Sequence, residues 1–313
     1  MGGYVGRLAP SPTGALHLGN VRTFMIAWLR ARSQGGRVIM RMEDLDHPKD
    51  KPGAAAAAIE DLRWLGFDWD GEFVQSERKA VYREALEALA KDGCVYPCVC
   101  SRRDVEAAQS APHAGEQLHY PGTCRGRFAT WAEACAVKPL PCWRFRTPED
   151  ALVSFTDSFV GPYSQDVPSV LGDFPIARDA FGAGYTLAVV VDDLLMGVTE
   201  VVRGDDLLAA TPAQILLARA WSAAQGTRCD LPSYCHVPLV VGPDGKRLAK
   251  RHGDTRVAVY REAGRRPGEI LGFLAASCGW CERGDEVSLA DLLPRFRLDS
   301  IPHEPFVVKG DDL

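Results

Sequence analysis

Gly6-Arg7-Leu8-Ala9-Pro10-Ser11-Pro12-Thr13-Gly14-Ala15-Leu16-His17-Leu18-Gly19-Asn20 runs from the end of a strand pattern, across two prolines and a glycine, into a helical pattern. The helix is expected over 21–33, with Phe24, Ile26, Ala27, Trp28, Leu29 and Ala31 as its apolar positions and Gly35-Gly36 as its end. A strand, a Pro/Gly turn and a helix N-terminus gather backbone N–H groups and a positive dipole end in one place, which suits a phosphate. His17 stands at the mouth of that helix, and Gly19 leaves room for a ligand to approach the backbone. A tight turn whose histidine merely caps a helix is the plainer reading of the same residues.

Outward from this turn, 37–42 reads as a second strand running into Glu43-Asp44-Leu45-Asp46, and 54–65 as a helix ending at Gly66. Another helix is expected over 77–91. Strand and helix alternating in this order predict an α/β fold with a parallel sheet and right-handed crossovers. Ligands of such sheets bind at the carboxyl ends of the strands, where the opening turn and Glu43 both fall.

Between 94 and 184 the composition shifts to Cys, Pro, Gly and short strand-like runs, which suggests an inserted subdomain. The parallel pattern is expected to resume at Tyr185-Thr186-Leu187-Ala188-Val189-Val190-Val191-Asp192-Asp193, an apolar run read as a strand buried on both faces. A further strand over 198–202 leads into Arg203-Gly204-Asp205-Asp206, and Thr211-Pro212 is read as the cap of a helix reaching Ala224. The expected division is a catalytic core in two halves, 1–93 and 185–245, the insert at 94–184, and a short helical region at 246–313.

The 313 residues are 46% hydrophobic and 25% charged, as in ordinary globular proteins. No apolar run is long enough to span a bilayer, and no secretory signal pattern opens the chain, so a cytoplasmic, monomeric protein without a membrane partner is expected. In that compartment the ten cysteines point to metal or to burial rather than to disulfides. The net charge of −5 argues against a nucleic-acid partner on average, yet 246–266 is locally basic. That segment is either a solvated charged face or a patch for a nucleic-acid backbone.

Two stretches together identify a family. His17-Leu18-Gly19-Asn20 resembles the first signature of class I aminoacyl-tRNA synthetases, and Arg247-Leu248-Ala249-Lys250-Arg251 the second, the mobile lysine loop. Arg7 to Gly14, Arg41-Met42-Glu43-Asp44-Leu45-Asp46, Val189 to Asp193 and Val201 to Leu207 are similar to the glutamyl branch. The resemblance covers most of the chain from Tyr4 to about His252. Within that branch the wording around Tyr185 and the short C-terminal region favour the truncated glutamyl-queuosine tRNA(Asp) synthetases over full glutamyl-tRNA synthetases.

That resemblance implies a Rossmann-like core and ATP-dependent activation of L-glutamate, with transfer of the glutamyl group to queuosine in tRNA(Asp). It implies His17 and Lys250 as catalytic groups on the ATP phosphates, with Asn20 and Arg247 also at the nucleotide. Glutamate binding falls on Arg7, Leu8, Ala9, Pro10, Ser11, Glu43, Tyr185 and Arg203. The residue types agree: a guanidinium forks onto a carboxylate, and a carboxylate holds an ammonium. Asn20 stands where the family has a second histidine, and Ala249 where it has a serine. Mg2+ is expected with ATP, although Asp192-Asp193 and Asp205-Asp206 are read as capping and loop residues rather than metal ligands. Cys98, Cys100, Tyr120 and Cys124 resemble the family's zinc site; by residue type alone, His119 or His113 would be the conventional fourth ligand. Cys278-Gly279-Trp280-Cys281 lacks a second pair and is read as buried or incidental. A shortened enzyme charging a tRNA 3′ end, and a catalytically silent tRNA-binding module, are the competing readings.

Overall fold

The computed structural model describes residues 3–12, 14–45, 52–108, 118–178, 182–246, 248, 254–309 and 312–313. Strand β1 (Val5–Leu8) leads through the Pro-rich turn into α1 (Leu18–Ser33), followed by β2 (Arg37–Met42), α2 (Ala54–Trp64), β3 (Gly71–Val74) and α3 (Lys79–Lys91). β1, β2 and β3 form a parallel sheet, as the alternation predicts. Helix α1 begins earlier than the apolar periodicity suggests because His17 caps it.

The next stretch holds β4 (Val95–Cys98), α4 (Arg102–Ala108), α5 (Trp131–Val137), β5 (Cys142–Phe145), β6 (Leu152–Asp157), β7 (Gly161–Asp166), α6 (Val167–Val170) and β8 (Pro175–Ala177). Helix α4 starts from the capping box of Ser101 and Asp104. β4, β5 and β8 make a small antiparallel sheet of their own. The hairpin β6–β7 does not join them. It lies within the 94–184 stretch expected to be a single insert, yet β6 pairs with the core strand β10.

The core returns with α7 (Tyr185–Leu195), β9 (Glu200–Gly204), α8 (Thr211–Ala224), β10 (Ser233–Val237) and β11 (Val240–Val241). It closes with α9 (Val257–Glu262), α10 (Pro267–Ala276), α11 (Leu289–Leu292) and β12 (Phe306–Val307), which pairs with β11. β9 lies beside β1, joined where Thr199 N–H donates to the Val5 carbonyl at 2.9 Å. The parallel strands thus run β3, β2, β1, β9, β10. Val202, Cys235 and Val237 face one core with α1 and α10, while Val201 and Tyr234 face another with α3, α7 and α8. Period-two alternation on a sheet covered on both faces makes the fold doubly wound. The 246–313 region is not separate, since Val257, Leu274 and Val308 share the α1 core.

Two expectations are corrected. Tyr185–Leu195 is a helix, not a strand. A short apolar run buried all round reads alike in both states, and its three valines favoured the wrong one. Gly184 opens the helix in extended backbone, and Gly197, with φ +66°, terminates the turn after it. Thr211 is the first helical residue of α8 and not its cap; its hydroxyl accepts from Arg203 instead.

Candidate active site

The Pro-rich turn and the start of α1 open onto a cleft of about 450 Å³. Its wall includes Arg7, Ala9, Pro10, Ser11, His17, Gly19, Asn20, Glu43, Tyr185 and Arg203, gathered from β1, α1, β2, α7 and β9. Leu8, expected among the glutamate contacts, does not line it. Its side chain is fully buried in the α1 core, because alternation along β1 turns Arg7 and Leu8 to opposite sides.

His17 caps α1 through its ring: Gly19 N–H donates to His17 Nδ1 at 3.2 Å, and His17 N–H donates to Asn20 Oδ1 at 3.2 Å. Since Nδ1 accepts, the proton of the neutral ring sits on Nε2, a donor. Capping and anion binding are therefore compatible at one histidine. A Cβ on Gly19 would come within 3.1 Å of that ring, so glycine is what lets the imidazole fold back. Asn20 completes the cap and also lines the cleft.

Arg7 donates through Nη1 to the Val202 carbonyl at 2.8 Å, and its Nε is buried without a hydrogen-bond partner among the described residues. Arg203 Nη1 is likewise buried and unpartnered among them. Arg7 Nε still has Asp193 Oδ1 as an ion-pair partner at 3.7 Å, whereas a buried donor such as Arg203 Nη1 is costly unless a ligand accepts from it. Glu43 sits against Arg41 at 3.0 Å, and burial lifts its carboxyl above the ordinary range, opposed by Arg41 and Arg7.

Arg41, which no residue-level reading singled out, anchors this wall. It is fully buried and contacts Asp193 at 2.6 Å as well as Glu43. Asp192 accepts from Gln75, Arg78 and Tyr82. Both carboxylates of that pair thus lie inside α7 and are held by neighbouring side chains, rather than serving as the capping and loop residues the sequence suggests. Asp206 does line the cleft.

Lys250, Arg247 and Ala249 lie outside the described residues. Their described flanks meet the cleft: Leu248 lines it, Leu18 N–H donates to Thr255 O at 3.1 Å, and Val257 N–H donates to Leu16 O at 2.9 Å. Beyond them the basic segment behaves as a charged face. Arg256 pairs with Asp254, Arg261 with Glu60, Arg265 with Glu269 and Arg266 with Glu286.

In the small sheet, Cys98, Cys100 and Cys124 bring their sulfurs within 4.8 Å of one another. Tyr120 Oη lies 3.3 Å from Cys98 Sγ and 3.7 Å from Cys100 Sγ, and Cys100 and Cys124 sulfurs are 3.6 Å apart. Ligands at tetrahedral angles about 2.3 Å from zinc would stand about 3.8 Å apart, so this donor set fits. His119 is not part of it, since its Nε2 lies 3.0 Å from the Pro168 carbonyl; His113 lies outside the described residues. The Cys98 thiol is held down at about 4 by the hydrogen bond from Cys142, aided by Tyr120 and Arg144, whereas burial pushes Cys100 up to about 11. Arg144 donates to Cys98 Sγ at 3.2 Å and lies 3.7 Å over the Tyr120 ring. Cys278 is buried and Cys281 donates to the Gly272 carbonyl, in line with the incidental reading.

No helix among the described residues is long and apolar enough to cross a membrane. A family model described as the catalytic domain of class I tRNA synthetases (E and Q) matches residues 5–291. The chain is 46% identical to a glutamyl-Q tRNA(Asp) synthetase of Symbiobacterium thermophilum, over 98% of this chain and 97% of that one. It is 49% identical to the protein of that name from Rhodopirellula baltica, over 91% and 88%. A glutamate tRNA ligase of Elizabethkingia meningosepticum, crystallised with its amino acid, superposes with a TM-score of 0.81 at 26% identity, covering 99% of this chain and 68% of that one. The chain, with its parallel sheet and capped histidine turn, belongs to the class I (E and Q) tRNA synthetase family, within its glutamyl-Q tRNA(Asp) synthetases.

Proposed function

We infer that this enzyme activates L-glutamate on ATP and transfers the glutamyl group to the queuosine base of tRNA(Asp). A glutamate carboxylate oxygen attacks the α-phosphorus, pyrophosphate leaves, and glutamyl-AMP then acylates a queuosine hydroxyl with release of AMP. The observation that carries this reading is the meeting of an anion-type helix mouth with two buried arginines, each with a donor that makes no hydrogen bond among the described residues, and a carboxylate in one cleft. His17 Nε2 and the α1 N-terminus stabilise the charge that builds on the phosphates, joined by Lys250, Arg247 and Asn20. Arg7 and Arg203 take a glutamate carboxylate, Glu43 the ammonium, and Ala9, Pro10, Ser11 and Tyr185 complete the pocket, with Leu8 supporting it from the core. Mg2+ enters with ATP.

Cys98, Cys100, Tyr120 and Cys124 would hold a zinc ion. Zinc there supplies cross-linking of the insert rather than chemistry at the cleft. Tyr120 Oη already accepts the Cys124 N–H at 2.8 Å, and the Arg144 guanidinium offsets the negative charge of the ligand set.

Glutamate-dependent ATP–pyrophosphate exchange without tRNA, followed by charging of tRNA(Asp) with and without queuosine beside tRNA(Glu), tests the function. Exchange and queuosine-dependent charging are expected; no exchange, or charging of a tRNA(Glu) 3′ end, overturns it. Lys250→Ala should slow exchange by about 100-fold or more while changing glutamate KM little, as for a group acting on developing phosphate charge.

A further inference from the structure

Arg203 is fixed from below by a chain that none of the glutamate contacts includes. Its Nε donates to His236 Nε2 at 3.0 Å, and its Nη2 donates to Thr211 Oγ1 at 2.7 Å and to Gln214 Oε1 at 2.8 Å. His236, on β10, is fully buried, and its Nδ1 lies 2.6 Å from Asp157 Oδ2 at the end of β6. A guanidinium N–H can only donate, so His236 Nε2 must accept and the ring proton must sit on Nδ1, facing the carboxylate. The opposite tautomer would set two N–H groups against each other. Asp157 is itself held, with Oδ1 accepting from the backbone of Phe159 and Val160 at 2.9 Å each. Of the Arg203 donors only Nη1 is left without a partner among the described residues, where Gln214 Nε2 is unpartnered too.

We propose that Asp157 and His236 are positioning residues: Asp157 sets the His236 tautomer, and His236 then locks one edge of Arg203 so that Nη1 is presented to the substrate carboxylate. Every other donor of the fork but Nη1 is spent on a fixed acceptor, so the guanidinium has one orientation and does not collapse onto a neighbour. A bound carboxylate then meets a preorganised donor and spends no binding energy on ordering it. The inference rests on Arg203 as a glutamate-binding residue, and the test separates the two.

Initial rates of ATP–pyrophosphate exchange are measured for D157N, H236L, H236Q and R203K with glutamate and ATP varied in turn. In D157N the three backbone donors, from Phe159, Val160 and His236, keep the side-chain oxygen, the amide NH2 faces Nδ1, and the imidazole moves its proton to Nε2, against the Arg203 Nε–H and beside Thr211 Oγ1. Glutamate KM should rise about tenfold or more in D157N and H236L, as when a buried donor loses its acceptor, with ATP KM unchanged within about twofold. H236Q, whose amide oxygen can replace Nε2, should recover most of the loss. Equal losses for both substrates, or no change in glutamate KM beside a raised one in R203K, overturn the relay. An unchanged glutamate KM in R203K instead overturns the substrate assignment on which the relay depends. In the wild-type enzyme, 15N-histidine NMR should show a protonated Nδ1 for His236, and an Nε2–H tautomer overturns the relay whether or not the variants fold.

Discussion

Glu200, at the head of β9, shows how single residues hold this sheet together. It accepts from Tyr4 Oη at 2.6 Å, from Arg30 Nε at 2.8 Å and from Ser158 Oγ at 2.8 Å, tying β1, α1 and the β6–β7 hairpin to one carboxylate. Burial alone would raise its pKa; the Arg30 and Tyr4 hydrogen bonds outweigh burial and hold it below the ordinary 4.5. A depressed folded-state pKa stabilises above the unfolded value and is lost as pH falls through the folded one. Glu200→Gln should therefore cost about 1–3 kcal/mol near neutrality. The gap between the two melting curves should close as pH falls below 4.5 and through the depressed value. A gap that stays constant down to acid pH would show that the charge is not what Glu200 contributes.

Among the elements, the strand and turn that present Tyr120 depend on one glycine. Gly172 has φ +64°, and a Cβ there would stand 2.2 Å from the Tyr120 carbonyl oxygen, where the two residues form a parallel bridge. Gly172→Ala must push Tyr120 away from Cys98 and Cys100. A stability loss of about 1–3 kcal/mol and a lower zinc content are expected, measured by denaturant titration and metal analysis. Full zinc content in a folded Gly172→Ala protein would remove Tyr120 from the ligand set. At α7 the lesson runs from sequence to fold. Tyr185 to Asp193 advertises burial but not geometry, and only packing against α3 and α8 makes it a helix whose Asp192 and Asp193 reach Arg78 and Arg41. The site residues it supplies were legible, while the element that carries them was not.

For the molecule as a whole, one face of the small antiparallel sheet has a thin core of Tyr96, Cys98, Val105, Tyr120 and Cys124, most of it made of the proposed ligands themselves, while Val95, Phe145, Ile176 and Ala177 on its strands join the large cluster of α3, α7 and α8. The doubly wound sheet has two large apolar clusters and needs no such support. Chelation should therefore loosen the turns that carry Tyr120 and Cys124 and leave the strands packed on the large cluster folded. Hydrogen exchange would read this as lost protection at Tyr120 and Cys124 while Val95 and Phe145 keep theirs, and concerted unfolding of both parts would contradict it.

The sequence by itself determined the parallel core, the histidine turn and most of the cleft wall. Strand-turn-helix spacing and the residue types of Arg7, His17, Glu43 and Arg203 are local and need no partner to be read. The tertiary structure alone decided what stands behind them. Arg41, Asp157 and His236 act through residues far away in the chain, from 33 to 152 positions apart, and no periodicity encodes such pairings. The β6–β7 hairpin is the clearest case. Its composition matches the insert around it, yet a single bridge to β10 carries Asp157 beneath His236. Buried polar groups must find partners wherever the fold brings them, so the scaffold of a site is settled only when the chain has closed on itself.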